Sequence, residues 1–226
     1  MLLQFKNVSV AGQPPFDSGL EGVTFSLAAG ELALVRLEEH IPNIPLGDAA
    51  QGMIELDEGE VRYDGENWAH MKAPQVSLHR SRIGRVFEQP GWISNIDVDE
   101  NIILAQLTHT HRGEVEIREE AARIAKEFQL EELPHARALM VPRAALRRAQ
   151  WVRAFMGDPK LVILERPTRE MPDYWSDVLV KKVNESRARG TAFLWITDEA
   201  YEWGLADMNP SLKFVMRGTK MERVEP

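Results

Sequence analysis

The apolar residues of this chain form patterns that predict alternating strands and helices. Residues 32–35, 161–164 and 191–197 are short and almost continuously apolar, which is typical of strands covered on both faces of a sheet. Residues 3–10 alternate between apolar and polar side chains and predict a half-buried strand. Residues 114–128 repeat apolar side chains at helical spacing. The chain therefore reads as an α/β protein.

Composition narrows the classes of protein that fit. The 226 residues suffice for one compact unit with a helical insertion, and the net charge of -8 argues against a general nucleic-acid binder. Cysteine is absent, so the sequence offers neither disulfides nor thiolate metal sites. His109 and His111 lack a nearby third ligand, and no metal site is predicted. No stretch approaches about 18 consecutive apolar residues, so we expect membrane contact only through a partner.

The order of several motifs resembles the ATP-binding cassette (ABC) of transporter ATPases. The strand at 161–164 follows an Arg-rich segment at 143–153 and Asp158-Pro159, while residues 57–65 and 83–88 match two earlier markers of that family. The resemblance implies a P-loop NTPase-like cassette with a mixed central sheet and an antiparallel β subdomain. It also implies one domain over residues 1–226, with a helical subdomain inserted at about 90–157.

The resemblance places the phosphate-binding loop at residues 37–44, where the family's pattern is not kept. That loop needs glycines, whose backbone N–H groups converge on phosphate, followed by a lysine and a hydroxyl. Here Asn43 stands at the lysine position and Ile44 at the hydroxyl position. Glu38 and Glu39 add negative charge, and each would repel a phosphate charge at ~4 Å by about 1 to 4 kcal/mol. The sequence therefore predicts a degenerate phosphate loop.

The remaining catalytic positions of the family are also changed. Glu88 replaces the metal-reaching Gln, Glu165 replaces the metal-binding Asp, Arg166 replaces the catalytic Glu, and Asp198 replaces the phosphate-sensing His. The signature loop, at residues 141–145, lacks its Ser and Gly. A guanidinium stays protonated and cannot act as a general base. We therefore predict no catalytic residue and no bound ATP or Mg²⁺. In the fold that the resemblance implies, the strands ending at Glu165 and Asp198 are neighbours, so we expect Arg166 to pair with Asp198 or Glu165.

Apolar residues after Glu88 are candidates for a partner surface. Trp92, Ile93 and Ile96 lie where the family's loop rests against a membrane permease, although the same residues would also suit a protein core. Residues 63–68 and 107–111 faintly resemble ATPases of bacterial lipid-asymmetry transport systems.

These observations favour a non-hydrolysing structural or regulatory subunit of a transport complex. Such a subunit would be cytoplasmic and held at the inner membrane by a permease. It could also meet an intact ABC ATPase subunit, or form a dimer that does not depend on nucleotide. Two alternatives remain: a divergent ABC ATPase that still binds and hydrolyses ATP through Glu165 and Glu88, and a free-standing interaction protein.

Overall fold

The computed structural model describes residues 1–38, 43–89 and 91–224, which form two sheets and a set of helices. The first sheet is antiparallel and has the strand order β2-β1-β4-β5. Its strands are β1 (Leu3–Val10), β2 (Leu20–Leu27), β4 (Glu58–Tyr63) and β5 (Glu66–Asn67).

The second sheet is mixed, with the order β10-β9-β3-β8-β7-β6. All neighbours in it are parallel except β10, which runs antiparallel to β9. Its strands are β3 (Leu32–Leu37), β6 (Ile83–Val86), β7 (Leu161–Glu165), β8 (Ala192–Thr197), β9 (Leu212–Arg217) and β10 (Lys220–Val224). The carboxyl ends of β3, β6, β7 and β8 meet at one edge, which we call the carboxyl edge.

Three helices in the middle of the chain pack on one another, and the third of them also packs on β6. They are α3, α4 and α5. The described helices are α1 (Leu46–Ala50), α2 (Ala73–Arg80), α3 (Val98–His109), α4 (Glu114–Glu127), α5 (Arg143–Phe155), α6 (Tyr174–Ala188) and α7 (Ala200–Gly204). The helix predicted at 114–128 is present. The pattern of the sequence did not predict α3, whose start is marked by a capping box between Asp97 and Glu100.

The central strands bury both of their faces, as the apolar runs predict. Along β7, Ile163 enters the core between the two sheets, whereas Leu164 enters the core beneath α3–α6. In β8, Leu194 and Trp195 divide in the same way. Each such side chain contributes about 1.5 to 3 kcal/mol through the apolar surface it buries, so the sheet is anchored from both sides.

A β-bulge explains the imperfect alternation in the first strand. The buried positions shift phase after Phe5 and resume at Val8, where the pairing with β2 also shifts. Asn7 takes the extra position with φ 50°, in the left-handed region. Gly59, at φ 83°, passes so close that a Cβ would overlap the Asn7 carbonyl oxygen.

Within the described residues, no helix combines the length and apolar character that a membrane crossing requires.

Candidate functional site

A cavity of about 310 Å³ opens at the carboxyl edge of the mixed sheet. We call it the crevice. Its wall combines apolar side chains with charged ones, and charged side chains at the ends of neighbouring parallel strands converge there. Among the residues that line it are Phe16, Asn43, Ile44, Asp48, Glu88 and Arg166.

Arg85 and Glu165 form a two-pronged ion pair at the base of the crevice. The Nε and Nη2 atoms of Arg85 donate to the two carboxylate oxygens of Glu165 at 3.1 and 2.8 Å. Arg85 Nη1 donates to Asp48 Oδ1 at 2.5 Å and to Gln51 Oε1 at 2.9 Å. Burial raises the pKa of the Glu165 carboxyl, while the Arg85 charge opposes that rise. The Glu165 carboxylate, which stands where the family has its metal-binding Asp, is thus held by an arginine.

Gly47 brings the backbone of α1 against this ion pair. A Cβ on residue 47 would overlap Glu165 Oε1 and would lie 2.8 Å from Arg85 Nη2. Sequence reasoning missed Arg85, Gly47 and Asp48. The available signal was an arginine inside the otherwise apolar strand β6, because a buried guanidinium needs acidic partners from elsewhere in the chain.

Arg166 lies across the crevice, and its side chain is only 2% exposed. Its Nε donates to Asp198 Oδ2 at 2.9 Å, and its Nη1 contacts Glu88 Oε2. The backbone N–H of Arg166 donates to the Ile196 carbonyl at 2.8 Å, with φ at 41°. The predicted pairing with Asp198 is confirmed. The other predicted partner, Glu165, pairs with Arg85 instead.

Glu88 links Arg166 to a second arginine. Its other carboxylate oxygen accepts from Arg169 Nη1, so two guanidinium groups share this carboxylate. Burial raises the pKa of Glu88, and the charges of Arg166 and Arg169 oppose the rise. Glu88, which stands where the family has its metal-reaching Gln, therefore forms ion pairs with both arginines.

Two residues at the end of the expected phosphate loop make other contacts. The backbone N–H of Asn43 donates to Asp17 Oδ2 at 3.1 Å, and the Asp17 N–H donates to the Asn43 carbonyl at 3.0 Å. Ile44 is buried in the core between the sheets. Residues 39–42, including Glu39, lie outside the described residues.

Glu38, the first acid of that loop, pairs away from the crevice wall. Arg217 Nε donates to Glu38 Oε2 at 2.6 Å, and Arg217 Nη2 donates to Oε1 at 3.0 Å. The hydrogen bond from Arg217 holds the pKa of Glu38 below its ordinary value. The charge of Glu38 is thus balanced by an arginine on β9.

The signature-loop positions lead into α5 at the same carboxyl edge. Pro142 is the N-cap of α5, and Arg143 follows with its side chain 91% exposed. Val141 and Ala145 are partly buried against the core beneath the helices.

The predicted partner-surface residues differ in exposure. Ile93 is 44% exposed, whereas Trp92 and Ile96 are half-buried and Trp92 packs on the core. The guanidinium of Arg153 lies 4.6 Å from the centroid of the Trp92 ring, and its Nη1 donates to the Gly91 carbonyl at 3.0 Å. Trp92 therefore packs as a core residue does, whereas contact of Ile93 and Ile96 with a partner stays a prediction.

Arg153 also lines a groove of about 630 Å³ between α2 and α3, with apolar neighbours such as Val76 and Met156. Burial lowers the pKa of the Arg153 guanidinium to about 10. Its Nη2 makes no hydrogen bond, and none of the described acidic residues forms an ion pair with it. The groove thus holds a mostly buried cation whose charge is not balanced within the described chain.

Across residues 1–38, 43–89 and 91–224, no group of three or more acidic or histidine side chains is arranged to hold a metal ion.

Comparison with known proteins gives consistent matches. A family model described as ABC transporter matches residues 46–169, more than half of the chain. The chain is 25% identical over 193 residues to a phosphonates import ATP-binding protein of Treponema denticola, which covers 82% of this chain and 75% of the relative. It is 26% identical over 207 residues to a probable branched-chain amino acid transport ATP-binding protein of Archaeoglobus fulgidus, covering 85% and 78% of the two chains.

Among solved structures, a bacterial ABC transporter cassette determined as a dimer aligns over 100% of both chains, with a TM-score of 0.82 and 18% identity. Identity this low shows the fold alone, and it confirms the predicted cassette fold. The predicted likeness to lipid-asymmetry ATPases is not shown by these relatives.

Proposed function

This chain belongs to the ABC transporter family, and on that premise we propose that it is a cassette subunit that does not hydrolyse ATP. The observation that carries the proposal is Arg166. Its guanidinium stands where the family has its catalytic carboxylate and is paired with Asp198 and Glu88. A permanently protonated group cannot take a proton from an attacking water.

The residues of the crevice do not fit magnesium–ATP. A magnesium ion needs oxygen ligands that are free to coordinate it, and the Glu165 carboxylate is bound through both oxygens by Arg85. Ile44 carries no hydroxyl and is buried in the core, and Asn43 carries no positive charge for a terminal phosphate. We therefore derive no hydrolytic step for this site.

The internal ion pairs supply a physical reason for the fold to persist without nucleotide. In an active cassette, magnesium and phosphate would balance the charges of the crevice, as the resemblance implies. Here Arg85 balances Glu165 and Asp48, and Arg166 and Arg169 balance Glu88 and Asp198. A divergent ATPase that used Glu165 and Glu88 would first have to remove both carboxylates from these arginines.

We further propose that the groove between α2 and α3 docks a membrane permease. Both relatives described above are ATP-binding proteins of transport systems. A permease segment with an apolar face and one carboxylate would cover Val76 and Met156 and would balance the charge of Arg153. Through this contact the chain would be cytoplasmic and held at the inner membrane.

Two measurements test the proposal. Incubated with Mg-ATP, the chain should release phosphate no faster than a sample without protein. An intact cassette assayed in the same way should hydrolyse ATP at about 1 s⁻¹ or faster. Tagged wild-type chain should capture an integral membrane protein from detergent-solubilised membranes, and Arg153→Glu should not. Arg143→Glu, an exposed arginine outside the groove, is the control. ATP turnover, or equal capture by Arg153→Glu, would contradict the proposal, and capture of soluble proteins alone would favour the free-standing reading.

A further inference from the structure

The ring of Trp203, in α7, has two cations beside it. The guanidinium of Arg36, on β3, lies 5.7 Å from the centroid of that ring, and the Nζ of Lys213, on β9, lies 4.6 Å from it. At both distances a cation is attracted by an aromatic ring. The Trp203 side chain is half-buried and packs on the core beneath the helices, which holds the ring in place. We call these three residues the tryptophan platform.

The register of the mixed sheet places both cations of the platform on one face. In the parallel pair of β3 and β9, Leu34 lies opposite Lys213. Residues two positions apart on a strand point to the same face, so Arg36 shares the face of Leu34. Leu34 enters the core beneath the helices. The platform therefore lies on the helix-covered face of the sheet, next to the end at which the sheet continues to β10.

Neither cation of the platform is balanced by an acid. Among the residues that the structure describes, the Arg36 side chain forms no hydrogen bond and no ion pair, and Lys213 donates only to the carbonyl of the tryptophan, at 3.5 Å. Two acids on this side of the sheet, Glu38 and Glu222, are both held by Arg217 at 2.6 Å. Their charges are therefore already engaged by another arginine.

An arginine without an acidic partner is unusual in a strand such as β3. All other residues of this strand are apolar and buried. The arginines that reach the crevice, Arg85 and Arg166, each hold two carboxylates. A guanidinium presents five N–H donors in a planar fork that matches a carboxylate, and Arg36 uses none of them within the described ranges. An external anion would also reduce the repulsion between Arg36 and Lys213.

The sheet beside the platform is open to a partner. Val224, on β10, lies directly opposite Lys213 and is half-buried. Further along β10, the side chains of Lys220 and Glu222 are 64% and 59% exposed. A partner on this face can therefore combine contact with apolar side chains and a carboxylate between the two cations.

The charge of the whole chain favours a protein segment over a polyanion as the partner. The net charge of -8 opposes nucleic acid and anionic membranes, because their charges extend far beyond the platform. The platform offers two positive charges, which match one or two carboxylates. Trp and Arg are also enriched among the residues that contribute most to binding at protein interfaces. An acidic segment with apolar neighbours satisfies these conditions.

We propose that the tryptophan platform binds an acidic segment of a partner protein. One carboxylate is held between Arg36 and Lys213, and apolar side chains lie against Trp203 and Val224. The platform lies at the β9–β10 end of the mixed sheet, whereas the groove between α2 and α3 lies at the β6 end. A permease in the groove and an acidic partner on the platform can thus be bound at the same time. The proposal does not depend on whether the crevice binds nucleotide.

Titration followed by nuclear magnetic resonance tests the platform directly. Nitrogen-15 labelling of the indoles gives a signal for each of the six tryptophans, and Trp203→Phe identifies the signal of Trp203. The probe is a helical peptide of about 15 residues with Glu on one face and Leu on the other, and the control peptide has Gln in place of every Glu. The acidic peptide should shift the Trp203 signal with a dissociation constant below about 1 mM. No saturable shift, or equal shifts by both peptides, would overturn the proposal.

Substitutions at the two cations supply the second test. Arg36→Gln and Lys213→Gln should each weaken binding of the acidic peptide by about tenfold or more, because each removes a charge-assisted hydrogen bond. Arg223→Gln is the matched control, since Arg223 is exposed on the other face of β10, opposite Phe214, and should leave the affinity unchanged. Melting temperatures check that the variants fold, and Lys213→Gln alone decides the test where Arg36→Gln does not fold. Unchanged affinity in Lys213→Gln would overturn the proposal.

Two further probes distinguish a protein segment from other anions. Inorganic phosphate and vesicles of phosphatidylglycerol are titrated into the same labelled chain. Neither should shift the Trp203 signal at concentrations at which the acidic peptide saturates it. A shift by either probe that matches the shift by the peptide would overturn the assignment of a protein partner.

Discussion

Replacing Arg166 by methionine tests whether the crevice depends on its internal ion pairs. The change keeps an unbranched side chain at φ 41°, so the backbone strain of that position is unaltered. It removes a guanidinium that is 2% exposed and leaves the carboxylates of Glu88 and Asp198 in the crevice without it. Removing one partner of a buried ion pair lowers the free energy of unfolding by about 3 to 5 kcal/mol, and we expect Arg166→Met to lower it by an amount in this range.

Urea unfolding monitored by circular dichroism measures that loss. Thermal unfolding should report the same loss. For a chain of this size, a loss of about 1 kcal/mol in the free energy of unfolding lowers the melting temperature by roughly 2 to 4 °C, so Arg166→Met should melt about 6 to 20 °C below the wild type. Arg143→Met is the matched control, because its 91% exposed side chain pairs with Glu170 at the surface. That control should lose no more than about 1 kcal/mol.

The pH dependence of the Arg166→Met penalty gives a further check. Burial already raises the pKa of Glu88 above its ordinary value of 4.5, and removing Arg166 should raise it more. A carboxyl whose folded pKa is raised contributes stability below its unfolded pKa and loses it as pH rises through the folded pKa. As pH falls from neutral towards 4.5, the Glu88 carboxyl of the variant takes up a proton and no longer carries an unbalanced charge. The loss in free energy of unfolding caused by Arg166→Met should therefore become smaller. A loss equal to that of Arg143→Met, or one independent of pH, would refute the reasoning.

Three further substitutions probe the surrounding structure. Arg85→Met should lower the free energy of unfolding, measured in urea, by about 3 to 5 kcal/mol, and much of this should return in Arg85→Met with Glu165→Leu, because the double change also removes the buried charge of Glu165 and leaves only that of partly exposed Asp48. Gly47→Ala should lower the unfolding free energy by about 1 to 3 kcal/mol, since its Cβ would overlap the Glu165 carboxylate. Gly59→Ala should destabilise more than Gly65→Ala, because both residues have left-handed φ but only Gly59 lies against a neighbouring backbone. Equal effects of the two glycine changes would contradict the bulge geometry.

Much of the framework could be predicted from local pattern. The strands at 161–164 and 191–197 bury both faces and therefore show as continuous apolar runs, and α4 shows a one-sided helical repeat. The helix α3 was missed, because it contacts neighbours on several sides and its apolar residues do not follow one face. The pairing of Arg166 with Asp198, one of the two partners expected, could be predicted because the family resemblance implied that the strands before these residues are neighbours, as β7 and β8 are.

The partners of Glu165 could not be read from the sequence. Arg85 lies 80 positions away along the chain and Asp48 lies on a short helix, so only the folded sheet brings them together. Gly47 has no sequence signature of its own, since its role depends on the ion pair that it approaches. The substitutions in the phosphate loop, by contrast, are visible in the sequence, but their effect on nucleotide binding stays a prediction.

Calorimetric titration with Mg-ATP tests the central claim most directly. With Arg85 holding Glu165 and Arg166 lying across the crevice, the account predicts no saturable heat up to about 1 mM nucleotide, which corresponds to a binding free energy weaker than about -4 kcal/mol. Stoichiometric binding with a micromolar dissociation constant would contradict it.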